Sequence, residues 1–338
     1  MVVKGDFGPF HRRLPRGLFC CADLDLKRLV ISSRSNYYNT FIFPHAIERH
    51  ELNKEFEDCA IDIEEDKVAR GFFTVNALHA CKIFLSWSST AYHGLLDLWL
   101  QSAAFWSGIN GAQILSNLQS SPVLRILHFG LNILKTSSDG VHIIPVNLQD
   151  LQVVKVFAYS NHEVRSSNVL RLLAPGPKPL WLCLEGEFKL DSAWSMELDN
   201  FFSQSNVMNS YAKQSMPPLS LFLRHSAHLE CDMLDKFDSQ THYKLLVEQI
   251  QGDGPNSLAR CNAIHLLNSA LSKHSLCIFL MAYPLGIVLD SSSSVHHGTG
   301  NKSQRTVLSK EELSDVFPEV KTLHGSAKDP TVDWDLLD

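Results

Sequence analysis

The sequence predicts an α/β fold in which short parallel strands alternate with helical segments along a repeated unit. The first observation is a phrase that occurs three times: an apolar residue, two spacers, an apolar residue, one spacer and an apolar residue. The phrase occupies 95–100, 124–129 and 151–156. Because its central residues, Leu98, Leu127 and Val154, lie roughly 28 residues apart, the phrase has the period of a repeat architecture.

The second observation is a helical segment between two of these phrases. Gly111 to Gln119 carries apolar residues at helical spacing, at Ala112, Leu115 and Leu118. Ser120-Ser121-Pro122 should end this helix, because proline disfavours the α conformation for the residue before it. The next strand phrase follows at once. A helix, a stop and a short strand form the unit of a solenoid that has strands on one face and helices on the other.

The third observation is one full match to a known repeat pattern. Leu124-x-x-Leu127-x-Phe129-x-x-Asn132 is the L-x-x-L-x-L-x-x-N pattern of leucine-rich repeats, with Phe for one leucine. Alternate strand residues point inward and form an apolar layer, while a buried Asn can satisfy backbone groups where the chain leaves the strand. We therefore predict a leucine-rich-repeat-like solenoid with parallel strands on the concave face and helices on the convex face.

The second half of the chain continues the series less regularly. Further strands are expected at 179–184, 206–208, 229–234, 261–266, 287–289 and 320–323. Asp232 stands where the phrase at 229–234 needs an apolar residue, so it breaks the pattern there. Lys310 to Val316 is predicted to be the last helix, with Ser309 as its N-cap and Glu312 completing a capping box.

The chain divides into two regions by its sequence. Residues 1–75 form an irregular N-terminal segment, in which 24–31 could be a strand of an early repeat and the acidic stretch 55–66 is expected to be a solvated loop or helix face. Residues 76–338 form the predicted solenoid. Its polar run 291–304 is expected to be an exposed loop, and its acidic tail to cap the open end of the solenoid.

Composition limits the classes of partner. The chain has 338 residues, of which 45% are hydrophobic and 20% charged, which is typical of a globular protein. Its net charge of −6 gives no basic footprint, so we expect neither nucleic-acid nor membrane binding. The longest apolar run, 276–289, is too short to span a bilayer. Eight scattered cysteines without a CxxC pair and an N-terminus without an apolar signal stretch favour an intracellular protein, cytoplasmic or nuclear.

The sequence carries no recognisable catalytic motif. His296-His297 has no cysteine or carboxylate at ligand spacing, and His225 with His228 is better explained as a helix surface than as a metal pair. No G-x-S-x-G elbow is present, and Gly108-x-x-Gly111 is followed by no phosphate-binding lysine. We therefore expect a protein that is not an enzyme, with no catalytic residue, cofactor or metal site.

The function that we expect is a non-catalytic protein–protein interaction scaffold. Its candidate interaction surface consists of strand positions that alternate with the inward leucines: Trp99, Arg125, His128, Lys155 and Trp181. Trp and Arg are favoured anchors at interfaces. The alternative is that the two tryptophans only cover neighbouring repeats. The partner protein cannot be read from the sequence.

Four segments of the chain resemble the F-box-like leucine-rich-repeat proteins of basidiomycete fungi: 92–98, 118–131, 170–180 and 316–323. The resemblance spans roughly residues 90 to 338. Such proteins typically carry an N-terminal F-box that docks on a Skp-type adaptor of a cullin ubiquitin ligase, while the repeats recruit a target. The resemblance thus implies an alternative function as the substrate-recognition subunit of an SCF-type ligase.

Only part of the F-box motif can be recognised in this chain. Leu14-Pro15-Arg16-Gly17-Leu18-Phe19 begins with the Leu-Pro of that motif but lacks its acidic residue and a helical periodicity. A diverged copy that keeps the repeats alone would explain this. Because Asp232 and the first 75 residues depart from the pattern, a degenerate paralogue with no retained activity is a further alternative.

Overall fold

The structure is a computed structural model, and it describes a large part of the chain in separate stretches. The described residues are 2–5, 27–33, 40–43, 60–62, 75–85, 87–102, 108–134, 144–158, 166–186, 192–213, 222, 224–232, 263–267, 270–272, 276, 286–289, 293–296, 308–317, 320–322 and 331. The chain divides into two compact units, Met1–Lys178 and Pro179–Asp338. Each unit is built around a parallel sheet.

The first unit holds the repeated phrase. Its strands are β1 (Val2–Gly5), β2 (Arg28–Ser33), β3 (Thr40–Phe43), β4 (Ala60–Asp62), β5 (Ala77–Cys81), β6 (Ile83–Leu85), β7 (Asp97–Gln101), β8 (Gly108–Asn110), β9 (Ile126–Gly130), β10 (Asn132–Leu134), β11 (Val146–Leu148), β12 (Val153–Ala158) and β13 (Leu173–Pro175). Six of them form a parallel sheet in the order β1-β2-β5-β7-β9-β12. The predicted parallel strands at all three phrases are thereby confirmed.

The core of this sheet is made of residues that share a register position. One buried row across β2, β5, β7, β9 and β12 consists of Leu29, Leu78, Leu98, Leu127 and Val154. Two residues further along each strand, a second buried row consists of Ile31, Ala80, Leu100, Phe129 and Val156. Because strand side chains alternate between faces, both rows lie on the same face and bury apolar area from five neighbouring strands.

The same backbone contact precedes each of these strands. The carbonyl of the residue immediately before a strand accepts two hydrogen bonds from the start of the next strand along the sheet. One donor is the N–H of the residue before that strand, and the other is the N–H of its first residue. The accepting carbonyls are those of Lys27, Asn76, Leu96 and Arg125. In the last case Gln152 and Val153 donate at 2.9 and 3.0 Å. The repeat is therefore a repeat of backbone hydrogen bonding as well as of apolar residues.

Among the described residues of this unit, short strands lie in much of the chain between the main strands. They form three small parallel sheets, β4-β3-β6, β10-β8 and β11-β13. Helix α1 (Gly111–Gln119) is confirmed where it was predicted, and it is the one α-helix among the described residues of this unit. At β6 the cause of the short strand is local. A single residue, Lys82, separates β6 from β5, and its positive φ of 62° turns the chain between the two strands.

The second unit repeats this plan with its own strands. They are β14 (Pro179–Gly186), β15 (Asn206–Lys213), β16 (His228–Asp232), β17 (Ala263–Leu267), β18 (Ala270–Ser272), β19 (Gly286–Leu289), β20 (Ser294–His296) and β21 (Val320–Thr322). Six form a parallel sheet in the order β14-β15-β16-β17-β19-β21. The helices are α2 (Ser192–Ser203) and α3 (Lys310–Val316). The capping box of α3 is confirmed, since Glu312 N donates to Ser309 Oγ at 3.1 Å and Ser309 N to Glu312 Oε2 at 2.8 Å.

The register expected around Asp232 is wrong by three residues. Leu229 pairs with Ile264 in the sheet, and Leu229 and Cys231 are the buried inward residues of β16. The phrase therefore begins at Ser226, and Asp232 lies on the opposite face, where it breaks no pattern. A serine is accommodated at the buried first position because its hydroxyl contacts that of Ser210 at 2.6 Å.

Other expectations are changed or lie outside the described residues. The expected loop 291–304 contains strand β20, paired with β18, and the acidic stretch 55–66 contains strand β4, paired with β3. The early repeat expected at 24–31 is strand β2. The F-box trace at 14–19 lies outside the described residues, as does the acidic tail except for Thr331. In the part of the chain that the structure describes, no helix is long and apolar enough to cross a membrane.

Candidate interaction surface

The outward face of the first unit is the face opposite the two apolar rows. Its central row is in register across four neighbouring strands and consists of His79, Trp99, His128 and Lys155. These side chains project from β5, β7, β9 and β12, between the inward residues of each strand. We call this row, together with Arg28, Asp97 and Phe157 on the same face, the aromatic ladder.

Ring stacking organises the centre of the aromatic ladder. The His79 and Trp99 rings lie 3.9 Å apart with an angle of 5° between their planes. Trp99 and His128 lie 4.0 Å apart at 16°, and Phe157 meets His128 at 6.2 Å in a tilted arrangement. Both faces of the indole are therefore covered by imidazoles.

A carboxylate lies beside this stack. Asp97 is 6% exposed, and its Oδ2 lies 2.7 Å from His79 Nε2 and 3.5 Å from Arg28 Nη2. Its other oxygen, Oδ1, and the Trp99 Nε1 are buried and have no hydrogen-bond partner among the described residues. Buried polar atoms are nearly always paired in folded proteins, so these two atoms are unusual.

The five residues predicted from the sequence lie in different environments. Trp99 and Arg125 are half-buried, but His128 and Lys155 are 3% and 5% exposed, so their expected exposure is not observed. Both lie in register with Trp99, in the row that crosses β7, β9 and β12. Trp181 is half-buried on the outward face of the second unit. Their role in binding stays a prediction.

Four members of the ladder were missed from the sequence: Arg28, His79, Asp97 and Phe157. His79 was missed because its strand precedes β7 at a shorter interval than the others and carries alanines in the phrase. A weaker signal was present, since Val75-x-x-Leu78-x-Ala80 keeps the apolar spacing. Asp97 occupies a spacer position of the phrase, and only the register shows which residues it meets.

The outward face of the second unit is polar and carries mixed charges. Lys213 Nζ contacts Glu185 Oε1 at 3.0 Å, and the Tyr211 hydroxyl donates to Asp232 Oδ2 at 3.3 Å. His265 Nδ1 lies 3.7 Å from Glu230 Oε1. Burial lowers the pKa of His265, and the nearby His228 lowers it further. These effects outweigh the attraction of the carboxylate at this distance.

Histidines and cysteines are distributed over the fold. His228 lies in strand β16, so it does not share a helix surface with His225 as expected. Cys81, Cys183 and Cys231 are free thiols, and burial raises the pKa of Cys81, which disfavours its reactive thiolate. Among the described residues, no group of three or more His, Cys, Asp and Glu side chains could hold a metal ion.

The arrangement on both faces is suited to recognition, because rigid rings and paired charges are fixed by strand register. In the second unit the contacts of the face are ion pairs and hydrogen bonds between neighbouring strands. In the first unit they are stacked rings beside a buried carboxylate. A scan against protein-family models and searches of curated proteins and of solved structures find no match to this chain.

Proposed function

We propose that the chain is a non-catalytic protein–protein interaction scaffold of the leucine-rich-repeat type. Its strands would line a concave face and its connecting segments the convex face, as in solenoids that bind other proteins. Support for the repeat comes from the backbone: four successive carbonyls, before β2, β5, β7 and β9, each bind two N–H groups of the next strand. Each strand thus makes the same contact with its neighbour.

The single observation that carries the binding function is the aromatic ladder. It places a half-buried tryptophan between two histidines on the outward face of the parallel sheet. These aromatic side chains lie on the face opposite the two apolar rows of the core. Aromatic residues held rigid by their neighbours lose little entropy on binding, which is why they dominate the energetics of interfaces.

The test compares the proteins that wild type and three variants of the full chain capture from the source cell. Trp99→Ala removes the centre of the ladder, and Arg28→Ala removes an exposed charge from the same face while leaving the stack intact. Ile144→Ala is the matched control, since Ile144 is 75% exposed and lies outside the sheet strands. We expect a specific partner that wild type and Ile144→Ala retain and that Trp99→Ala loses.

Arg28→Ala changes the same face without disturbing the ring stack, so a loss of binding in this variant would not be explained by misfolding of the stack. Each version is first compared with wild type by circular dichroism and by its thermal midpoint. If a folded Trp99→Ala protein captures the same partners in the same amounts as wild type, the outward face of the first unit is not the binding surface. A chain that captures no specific partner in any version would favour the degenerate paralogue.

The same experiment distinguishes the scaffold from the alternative function, a substrate-recognition subunit of an SCF-type ligase. It requires a Skp-type adaptor among the captured proteins, bound through the segment that holds Leu14 and Pro15. The double substitution Leu14→Ala with Pro15→Ala should then release the adaptor and leave the partner of the ladder bound. Capture of a partner without any adaptor would support the scaffold alone.

A further inference from the structure

The two unpaired atoms of β7 form a matched donor and acceptor. Trp99 Nε1 can only donate a hydrogen bond, and Asp97 Oδ1 accepts one as a carboxylate oxygen. The residues are two apart on one strand, so both project from the same face, about 7 Å apart along the strand. A buried donor and a buried acceptor without partners each cost free energy, which a binding partner would recover.

We propose that Asp97 and Trp99 clamp the backbone of an extended peptide segment belonging to the partner protein. One residue in the extended conformation presents its N–H and its C=O on the same side. An N–H of the segment would bind Asp97 Oδ1, and a carbonyl oxygen on the same side of the segment would accept from Trp99 Nε1. This inference rests on the proposed function and names the chemistry that the partner brings to the face.

Other groups on the face agree with a peptide as the occupant. A sugar or a nucleobase would stack on the indole, but His79 and His128 already cover both of its faces. A metal ion would not use the indole N–H, which has no lone pair to offer. Backbone amides supply the donor and the acceptor together, whatever the sequence of the peptide.

Both unpaired atoms are shielded from solvent in the free protein, so a peptide reaches them only if a neighbouring side chain moves. The Arg28 side chain is 59% exposed and contacts Asp97 Oδ2 at the long distance of 3.5 Å, which at such exposure is a weak ion pair. If this ion pair opens, Oδ2 keeps its contact with His79, and Oδ1 can accept a hydrogen bond from the peptide.

The experiment uses a displayed library of random 12-residue peptides selected on the full chain. Trp99→Phe keeps the ring stack but removes the N–H, and Asp97→Asn keeps the shape but removes the charge. Trp99→Phe should weaken binding of the selected peptides about tenfold, which is the loss of one strong hydrogen bond. Asp97→Asn should weaken it several-fold, because the amide oxygen still accepts a hydrogen bond but without the assistance of the charge. The matched controls, Trp87→Phe and Asp150→Asn, change the same atoms in the same unit away from the ladder and should change the dissociation constant less than twofold.

A change in the peptide backbone locates the contact. Replacing one amide of a selected peptide by an ester removes one N–H, and at one position it should weaken binding to wild type about tenfold. The same replacement should have a smaller effect on Asp97→Asn, because the hydrogen bond to the amide oxygen is weaker than the one to the carboxylate. In nitrogen-15 spectra the Trp99 indole N–H signal, identified by its absence in Trp99→Phe, should move downfield when the peptide binds.

Three results would overturn this inference. They are selected peptides that bind all variants equally, a Trp99 indole signal that does not move because a water molecule already pairs it, and a library that yields no binding peptide. The proposed function would survive any of them if a cellular partner is lost with Trp99→Ala but retained by Trp99→Phe. If no substitution weakens the binding of the cellular partner or of the selected peptides, the proposed function and this inference are both contradicted.

Discussion

At the scale of single residues, Trp99 is the position where structure and binding depend on the same side chain. Its indole is covered on both faces by imidazoles at 3.9 and 4.0 Å, and its edge carries the unpaired N–H. Such stacks are worth about 0.5–1.5 kcal/mol for each ring pair beyond the area that they bury. The residue therefore stabilises three neighbouring strands while holding one polar atom in an unfavourable state.

The effect of removing this ring on stability follows directly. Trp99→Ala should lower the free energy of unfolding by about 2–4 kcal/mol, because it removes two stacking contacts and leaves space between the imidazoles. Trp99→Phe should cost about 1 kcal/mol or less, since a ring still fills the stack and the unpaired N–H is gone. Urea unfolding followed by circular dichroism measures both values. Equal losses for the two variants would mean that the stack contributes nothing.

His265 gives a prediction for pH dependence. Burial, and secondly the charge of His228, lower its pKa in the folded protein below the ordinary value of 6.5. Protonation is then easier in the unfolded chain, so the stability contributed by neutral His265 is present above pH 6.5 and is lost as pH falls through its lowered pKa. The urea midpoint should therefore decrease between pH 7.5 and pH 5 more steeply in wild type than in His265→Gln.

The titratable groups that face His265 are unchanged in the His265→Gln variant. Glu230 on β16 lies 3.7 Å away and His228 is on the same strand, so both remain in the variant. His225→Gln serves as the matched control, because its imidazole lies elsewhere, 3.4 Å from Asp199. A steeper pH dependence in His265→Gln than in wild type would show that the attraction of Glu230 dominates.

At the scale of elements, helix α1 depends on its first residue. Asn110 Oδ1 accepts from Ala112 N at 2.9 Å, and Gln113 Oε1 accepts from Asn110 N at 3.2 Å, which forms a capping box. Asn110→Ala should lower the free energy of unfolding by about 1 kcal/mol, whereas Asn110→Ser should be nearly neutral, because serine is an equally good cap. Thermal unfolding of both variants measures the difference, and equal midpoints would contradict a role for the cap.

Elements with strong local signals could be predicted from the sequence. The phrases at β7, β9 and β12 carry the apolar spacing of their buried rows, and helices α1 and α3 carry helical periodicity or a capping box. The short strands β6, β8 and β10 could not be predicted in this way. They contain three residues each, too few to show a period, and their pairing is set by the neighbouring repeat.

The candidate surface was harder to predict than the fold. Trp99 and His128 could be placed on the outward face from alternation alone, because their strands have a clear phrase. The contact between His79 and Asp97 joins residues that are 18 apart, at a shorter interval than the other repeats. Alternation gives the face on which a side chain lies but not its exposure, and Lys155 on the outward face is buried.

At the scale of the whole molecule, a repeat architecture has a distinct form of cooperativity. Among the described residues, the strands of the first unit's sheet pair with their neighbours in the order β1-β2-β5-β7-β9-β12. In such a chain, stability is approximately a sum of terms for each repeat and for each interface between neighbours. A globular domain with one central core would instead lose stability throughout when any core residue is removed.

Hydrogen exchange in the native state separates these two cases. Leu127 is completely buried at the centre of β9, so Leu127→Ala should cost about 2–5 kcal/mol locally. In a solenoid, amide protection should fall most in β7, β9 and β12 and progressively less toward β1, because the disturbance passes through one interface at a time. Leu29→Ala, at the same register position in β2, should give the reverse gradient. A uniform loss of protection across the sheet in both variants would show a single cooperative core and would count against the solenoid.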